Sequence, residues 1–393
     1  MITNEVMRVA HEKSRFLNTV DKQFDDSFGR SGGKIGSTLR VRLPDQYTVT
    51  TGRAIDVQDA TEQKVDLTLA TQKHVAMRFN SAELYTDIDD FSKRKIVPAV
   101  SALISEIEAD VLQGCTKLVA QVAGTAGTAI NDLTAPTLAR AKMNQQLAPM
   151  NNRAIQMDSV TMAALVKGTA GLFNPNAAIS EQFREGLVAR MAMADFYENE
   201  RVWTLPNISD VSCTLDTYTI TNGDSDLTVT SFATPVAGMV FTIADLYDVH
   251  PETKDAYSHL KQFTLLSGST STSLSISPTI YYTGPRKNVG TSTGADITPS
   301  NYTTKTLTFV GAASTNYVQS LMYQKEAFAF VTGELPLMAG ADRCVRKTEE
   351  GLSLRVWQDS DIRNDEQITR IDVLYGYAAI RPQWACRLIG SAN

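Results

Sequence analysis

The start of the chain carries the apolar spacing of a helix. Between positions 4 and 28 the apolar side chains recur at intervals of three and four, at Val6, Val9, Phe16, Leu17, Val20 and Phe24. This periodicity is typical of an amphipathic helix. Glycines at positions 29, 32 and 33 then favour a change of direction. We therefore predict a helical N-terminal arm over residues 1–34.

From residue 35 onward the pattern changes from helical to alternating. Apolar and polar residues alternate in three runs, at 39–43, 65–69 and 75–79. A period of two indicates strands. Because the stretch 45–64 is polar, we predict a long two-stranded loop with a wide tip. Such a ribbon has little core of its own and is expected to lie against another surface, plausibly a second subunit.

The longest helical stripe of the chain runs from Val97 to Ala123. Pro98 fits its first turn, where a missing N–H is tolerated. A second helix is predicted to begin at residues 134–136, which combine a threonine cap with a proline, and to end before Pro149. The stripe is longer than that of an ordinary globular helix and predicts a spine.

The remaining patterns mix short helices and strands. A strand is predicted at 153–157 and a helix at 159–167, and without a regular βαβ repeat this order favours an α+β fold. Residues 210–308 are rich in Thr, Ser, Gly and β-branched residues, which indicates an all-β insert ending in an exposed loop at 284–302. Strand patterning then returns at 320–330, 352–358 and 368–380.

Composition and charge exclude several classes of protein. The 393 residues are 43% hydrophobic and 20% charged, and no apolar run is long enough to cross a bilayer. A net charge of −6 provides no basic footprint for gripping a nucleic acid. The four cysteines form no CxxC pair, which argues against a zinc site or disulfide framework. The N-terminus lacks a secretory signal, so we expect synthesis and folding in the cytoplasm.

Two groups of residues invite a chemical interpretation. Gly32 and Gly33 precede Lys34, but a phosphate loop needs Ser or Thr after the lysine, and Ile35 follows. We interpret the glycines as a hinge. The acidic run 87–90 is interpreted as helix capping, and Asp359, Asp361 and Asp365 as a solvated turn between strands, because the calcium-loop pattern fails at Arg363.

No constellation for catalysis is visible in the sequence. The four histidines fall far apart, on the arm, the ribbon and the insert. The motifs of α/β-hydrolases, zinc proteases and dinucleotide-binding proteins are absent. We predict no catalytic residue, no metal ligand and no cofactor, and expect that the chain is not an enzyme.

Two stretches of sequence carry a family resemblance. One lies in the insert, at residues 238–244, 249–254, 260–264 and 274–278, and the other at 351–356, 370–376 and 381–382. Together with the order of the elements, they resemble the major capsid proteins of tailed bacteriophages that have the Hong Kong 97 fold. The likeness is closest to coat proteins of short-tailed phages that carry an inserted β-rich domain.

The resemblance implies a division of the chain into named parts. These are an N-terminal arm (1–34), an extended loop (35–80), a peripheral domain with the spine helix (81–149), an axial domain in two parts (150–209 and 309–393) and an insertion domain (210–308). It also implies that copies of the chain assemble as hexamers and pentamers into an icosahedral shell, which encloses double-stranded DNA without sequence-specific binding.

The resemblance also implies partners and contacts. A separate scaffolding protein and a portal protein at one vertex are expected, a decoration protein is left open, and no membrane is involved. Arg40, Arg42, Arg53 and Lys64 on the ribbon are candidate contacts between subunits, although they could equally keep an exposed strand edge soluble. Gly32 and Gly33 are the candidate hinge. Another virion component (tail or decoration protein), a shell-forming nanocompartment protein and an unrecognised enzyme remain as alternatives.

Overall fold

The computed structural model describes residues 6–10, 14–22, 38–53, 57, 62–80, 95–169, 190–206, 209–217, 220–349 and 351–392. Among the described residues, the longer helices are α1 (Val97–Leu118), α2 (Thr134–Gln145) and α3 (Ser159–Thr169), with 3-10 turns at Pro299–Tyr302, Lys325–Ala327 and Pro382–Trp384. The first strands are β1 (Thr38–Leu43), β2 (Gln63–Thr68), β3 (Thr71–Asn80), β4 (Val122–Ala123), β5 (Arg153–Met157), β6 (Arg190–Met191), β7 (Ala194–Glu198) and β8 (Trp203–Leu205).

The second half of the chain consists mainly of strands. They are β9 (Ser212–Thr214), β10 (Asp224–Thr228), β11 (Val240–Val249), β12 (Ala256–Leu265), β13 (Ser273–Ile280), β14 (Val289–Gly290), β15 (Thr306–Phe309), β16 (Tyr317–Gln324), β17 (Phe328–Gly333), β18 (Arg343–Glu349), β19 (Leu352–Asp361), β20 (Glu366–Ala379) and β21 (Ala385–Ala392). The α+β class predicted from the sequence is thereby confirmed.

The chain divides into two compact units. Unit 1 comprises residues 1–42, 64–112 and 328–380, and unit 2 comprises residues 43–63, 113–327 and 381–393. The last strands of the chain are therefore divided between the two units: β17 to β20 belong to unit 1, and β21 belongs to unit 2. The limits of the axial and peripheral domains stay a prediction. None of the helices that the structure describes is long and apolar enough to span a bilayer.

Unit 1 is built on a five-stranded antiparallel sheet. Its strand order is β17, β20, β19, β18, and β3 pairs with β20 over its whole length. β1 and β2 form a separate two-stranded ribbon, as predicted. The third alternating run, however, belongs to the sheet as β3 and not to the ribbon. Gly376 of β20 allows the chain that follows β2 to approach, because a Cβ there would lie 2.1 Å from the backbone oxygen of Thr68.

The arm is helical only at residues 6–10 among its described residues, so the single continuous helix predicted for it is wrong. Tertiary contacts explain the bend at 14–22. The buried carboxylate of Glu108 accepts hydrogen bonds from the N–H groups of Arg15 and Phe16, at 3.0 and 2.9 Å. Asp21 exchanges backbone hydrogen bonds with β17. The described apolar residues of the arm's stripe, from Val6 to Val20, are buried as the pattern predicted.

The spine helix is confirmed as α1, with Pro98 in its first turn. It ends at Leu118, whereas the apolar stripe continues to Ala123. The last two residues of the stripe form β4, which pairs in parallel with β21. The second helix, α2, begins at Thr134 as predicted, and the carboxylate of Asp132 accepts the hydrogen bond from the Thr134 N–H.

Unit 2 contains a mixed sheet with helices on one face. Its order is β4, β21, β16, β5, β7, β6, and β8 pairs with β16. Side chains of β16 and β21 alternate between the two faces, as the period of a strand requires. Met322 and Cys386 belong to the core beneath α2 and α3, whereas Tyr317 and Ile389 belong to the core of the insert.

The insert forms a second sheet in unit 2. The strand order is β10, β13, β12, β11, β15, β9, and β14 pairs with β11. Its core contains a group of aromatic rings, and Phe241 and Phe309 lie 5.2 Å apart between ring centroids. Trp203 from β8 belongs to the same core. The all-β insert is thus confirmed, and its core is continuous with one face of the neighbouring sheet.

The segment 284–302 was predicted to be a loose exposed loop, and the structure shows otherwise. It includes β14 and a 3-10 turn, and it buries Val289, Ile297 and Tyr302. Tyr302 donates a hydrogen bond from its hydroxyl to the backbone oxygen of Asp245. The turn-forming residues predicted an irregular path correctly, but apolar anchors between them fix that path onto the insert.

Candidate assembly surfaces

The ribbon presents a charged face to solvent. Thr38 lies 3.3 Å from Thr68 between hydroxyl oxygens, and Arg40 Nε lies 3.8 Å from Asp66 Oδ1. These contacts place both residue pairs on one face of the ribbon. Because strand side chains alternate, Arg42 and Lys64 lie on that face as well. The structure therefore brings together three of the four basic residues selected from the sequence, and all three are exposed.

Arg53, the fourth basic residue, lies apart from them in the loop between β1 and β2, where it is exposed. The same loop carries three exposed apolar side chains: Tyr47 (62% exposed), Val49 (98%) and Val57 (82%). Sequence analysis did not select these residues, because isolated apolar residues in a polar stretch carry no periodic signal. Three exposed apolar side chains on one loop make this loop a candidate contact surface for another protein.

The hairpin between β19 and β20 is a second exposed projection. The carboxylate of Asp361 accepts hydrogen bonds from the Arg363 N–H (2.9 Å) and the Asn364 side chain (2.8 Å), which fixes the turn. The acidic turn predicted between two strands is thus confirmed. At its tip Ile362 is 97% exposed. Among the described residues, no three His, Cys, Asp or Glu side chains lie together as a set of metal ligands.

Exposed apolar side chains are unevenly distributed along the chain. Besides the ribbon loop and the hairpin, they lie on and around α2 and α3, at Leu138, Leu147, Met150 and Val160, and near Leu337. Over the described part of the insert, residues 209–310, no large apolar side chain is strongly exposed. Among the described residues, the surfaces suited to apolar contacts therefore lie outside the insert.

Asp248 of β11 is the centre of a polar cluster inside unit 2. Its carboxylate accepts hydrogen bonds from Lys261 Nζ (2.7 Å) and Gln146 Nε2 (3.1 Å), and His259 Nε2 lies 3.5 Å away. Burial raises the pKa of Asp248, but Lys261 and His259 outweigh burial and hold the pKa below its usual range. Sequence analysis missed this cluster, because the alternation of apolar and polar residues in β12 does not reveal which strand lies next to β12.

The Asp248 cluster offers little for catalysis. A His beside a carboxylate is the usual arrangement for general-base chemistry. The adjoining cavity, however, has room for about one water molecule. Its lining includes Lys142, Gln145, His259 and Lys261 and contains no hydroxyl or thiol group. The cluster is best explained as a structural connection between the insert and α2.

Several residues selected from the sequence lie elsewhere. Gly32 and Gly33, the acidic run 87–90 and His11 fall outside the described residues. His250 and His259 lie on the insert, on either side of Tyr257, whose ring stacks on that of His259 with centroids 5.4 Å apart. His250 Nδ1 accepts hydrogen bonds from the N–H groups of Glu252 and Thr253, which makes it part of a turn.

Comparison with known proteins gives one family and a group of solved structures. Residues 209–390, just under half of the chain, match the family of the P22 coat protein, gene protein 5. Among curated protein sequences, none matches this chain. A solved structure of Mycobacterium phage Che8 aligns with a TM-score of 0.51 at 10% identity, covering 95% of this chain and 90% of that chain.

Two further structures align less closely. The capsid structure of the cyanophage P-SCSP1u gives a TM-score of 0.47 at 10% identity, covering 95% of this chain and 89% of that one. The mature capsid of bacteriophage PhiM1 gives 0.44 at 11% identity, covering 91% and 82%. Residues 209–390 are therefore similar to the P22 coat protein family, and the fold of the chain is similar to that of the Che8 structure.

Proposed function

We propose that copies of this chain assemble as hexamers and pentamers into an icosahedral shell around double-stranded phage DNA. The carrying observation is the distribution of exposed apolar side chains. They lie on the ribbon loop, on the β19–β20 hairpin, around α2 and α3, at Met193 and at Leu337 and Met338, and none lies on the described part of the insert. Exposed apolar side chains that are grouped on particular surfaces are candidate contacts with other copies of the chain.

Charge on the ribbon supports a contact between subunits. Arg40, Arg42 and Lys64 share one exposed face, and Arg53 extends from the loop. The hairpin turn at 359–366 is acidic, with Asp359 and Asp361 exposed or half-buried. In this proposal the basic face of one ribbon meets acidic surface on a neighbouring copy. Many such weak contacts, repeated by symmetry, add up to a stable shell.

The same proposal includes partners and a flexible joint. A separate scaffolding protein directs assembly in the host cytoplasm, and a portal protein occupies one vertex. Gly32 and Gly33 form the hinge between arm and ribbon, since glycine reaches backbone conformations closed to other residues. A net charge of −6 provides no basic footprint for gripping DNA, so in this proposal the shell encloses DNA without sequence-specific contacts. The chain has a structural role and catalyses no reaction.

The test is expression of the full chain with and without the scaffolding protein encoded beside it. Sedimentation and negative-stain electron microscopy would distinguish closed shells or capsomer-sized rings from monomers. We expect shells of uniform diameter with the scaffolding protein present. A monomer under both conditions, at high concentration, would contradict the proposal.

A charge reversal examines the ribbon separately. Arg42→Glu and Lys64→Glu together should abolish shells and leave a folded monomer, because the reversal places like charges at the contact. The matched control is Glu252→Lys, a reversal in an exposed turn of the insert. Normal shells from the ribbon variant would refute the ribbon contact without affecting the proposal that the chain forms a shell.

A further inference from the structure

The end of helix α1 meets the insert at a buried joint. The last four carbonyl groups of a helix lack partners within the helix. At the end of α1, the backbone oxygen of Lys117 accepts hydrogen bonds from the Thr264 hydroxyl (3.0 Å) and from Arg387 Nη2 (2.9 Å). Thr264 belongs to β12 of the insert and is fully buried. One carbonyl of the helix end is thus satisfied by side chains from two distant segments.

The strand that follows the helix is held in the same way. The Val122 N–H donates to Gln262 Oε1 (2.9 Å), and Lys142 Nζ donates to the Val122 oxygen (2.6 Å). Lys142 also donates to Gln262 Oε1 (2.8 Å). Gln262 and Thr264 are two residues apart on β12, so both side chains project from the same face of that strand. That face of the insert lies along residues 117–122.

Arg387 closes the joint from the side of β21. Besides Lys117 it donates to the backbone oxygen of Gly238 and to the Thr264 hydroxyl, and it lies 5.5 Å from the Trp203 ring centroid. Burial lowers the pKa of Arg387 to about 9. Among the described residues no carboxylate pairs with it. Its charge is stabilised by carbonyl groups, including one at the negative end of α1.

Gly238 makes the joint compact. A Cβ at this position would lie 2.6 Å from the Trp203 ring and 2.9 Å from Lys117 Cγ, and its φ of +96° favours glycine. Gly238 and the run Leu260–Thr264 both belong to the stretches that carry the family resemblance. Self-assembly does not account for them, since both are buried or half-buried within one subunit.

We propose that the insert is the C-terminal cap of the spine helix. Thr264 and Gln262 are its positioning residues, and hydrogen bonds from Arg387 hold Thr264 in place against the Lys117 oxygen. The insert therefore fixes the end of α1 and the path of residues 119–122. An insert appended to the axial sheet as an independent module would have no such effect on the helix.

The experiment is hydrogen exchange of the full-length monomer, measured by mass spectrometry on peptides that span residues 115–123. The variants are Thr264→Val and Gln262→Met, each of which keeps the size of the side chain and removes its hydrogen bonds at the joint. We expect exchange in residues 115–123 to accelerate about tenfold, as for the loss of one buried hydrogen bond. Protection in β11 and β13 should stay at the wild-type level.

Thr308→Val is the matched control, because Thr308 is an exposed threonine on β15 of the same insert. It should leave residues 115–123 unchanged. Arg387→Lys provides a variant that keeps the positive charge but removes the forked donor, and it should accelerate the same peptides. The proposal is overturned if the Thr264 and Gln262 variants leave residues 115–123 protected, or if protection is lost evenly over the whole insert.

Discussion

The guanidinium of Arg355 donates two hydrogen bonds to the same carboxylate oxygen of Asp372, at 3.2 and 2.7 Å, with side-chain exposures of 4% and 0%. The two residues face each other across β19 and β20. Arg370 Nε donates to the other oxygen of Asp372 at 2.6 Å. The five-stranded sheet of unit 1 therefore contains a buried ion pair, in which removal of the Asp372 carboxylate would leave the Arg355 guanidinium without its counter-charge.

Asp372→Asn should destabilise unit 1 by about 3–5 kcal/mol, because it leaves a buried guanidinium without its counter-charge. The double variant Arg355→Met, Asp372→Leu should lose less, since it removes both charges. Urea-dependent hydrogen exchange of β19 and β20 measures both. If Asp372→Asn unfolds at the wild-type urea concentration, the ion pair does not contribute to stability.

The insert should lose stability in acid through Asp248. The pKa of Asp248 is lowered in the folded state, so its contribution is fully present above the unfolded pKa of about 3.9 and is lost as pH falls through the folded value. Urea unfolding of the insert between pH 7 and pH 3 should show this decline. Asp248→Asn should lower stability at pH 7 and flatten the decline. An unchanged slope in the variant would assign the acid sensitivity to other groups.

One of the four cysteines should react in the native protein. Cys115, Cys213 and Cys386 are buried, and burial raises the pKa of Cys213 and of Cys386 to about 11, which disfavours the reactive thiolate. Cys344 on β18 is partly exposed. Maleimide labelling at pH 7 followed by peptide mass spectrometry should find Cys344 alone, and all four after denaturation. Native labelling of Cys386 would contradict its burial.

Gly376→Ala should destabilise unit 1 by about 1–3 kcal/mol, as for overpacking of a filled site. The added Cβ would meet the backbone oxygen of Thr68, which cannot move away as a flexible side chain could. Gly340→Ala is the comparison, because a Cβ at position 340 would face open space. That substitution costs only the backbone strain of an alanine at a φ of +115°. Thermal unfolding should show a larger loss for position 376. Equal losses would indicate that the chain after β2 yields readily.

The periodicity of apolar residues predicted those helices and strands that bury one of their faces. The stripe of α1 and the alternation of β1, β2 and β20 depend on burial along a single element, so they can be read without knowing the partner. β18 was missed because it is a polar strand at the edge of its sheet. The end of α1 was placed too late because Val122 and Ala123 continue its apolar stripe, and only pairing with β21 makes them a strand.

The candidate contacts were predicted in part for the same reason. The charged face of the ribbon follows from the alternation of Arg40 and Arg42 with Leu39 and Val41, which the structure reproduces. The joint at Lys117 could not be predicted, because it gathers Thr264 and Arg387 from segments that are remote in sequence. No local pattern indicates which buried polar side chains meet when the partners are so far apart.

The contrast between the exposed ribbon and the buried ion pair of unit 1 has a practical consequence for handling the particle that we propose. Exposed charges are screened by dissolved ions within about 10 Å at 0.1 M ionic strength, whereas buried pairs are screened much less. The side chains of Arg40 and Asp66 are 69% and 49% exposed. Concentrated salt should therefore loosen contacts between copies and leave each subunit folded, which would make dissociation and reassembly reversible.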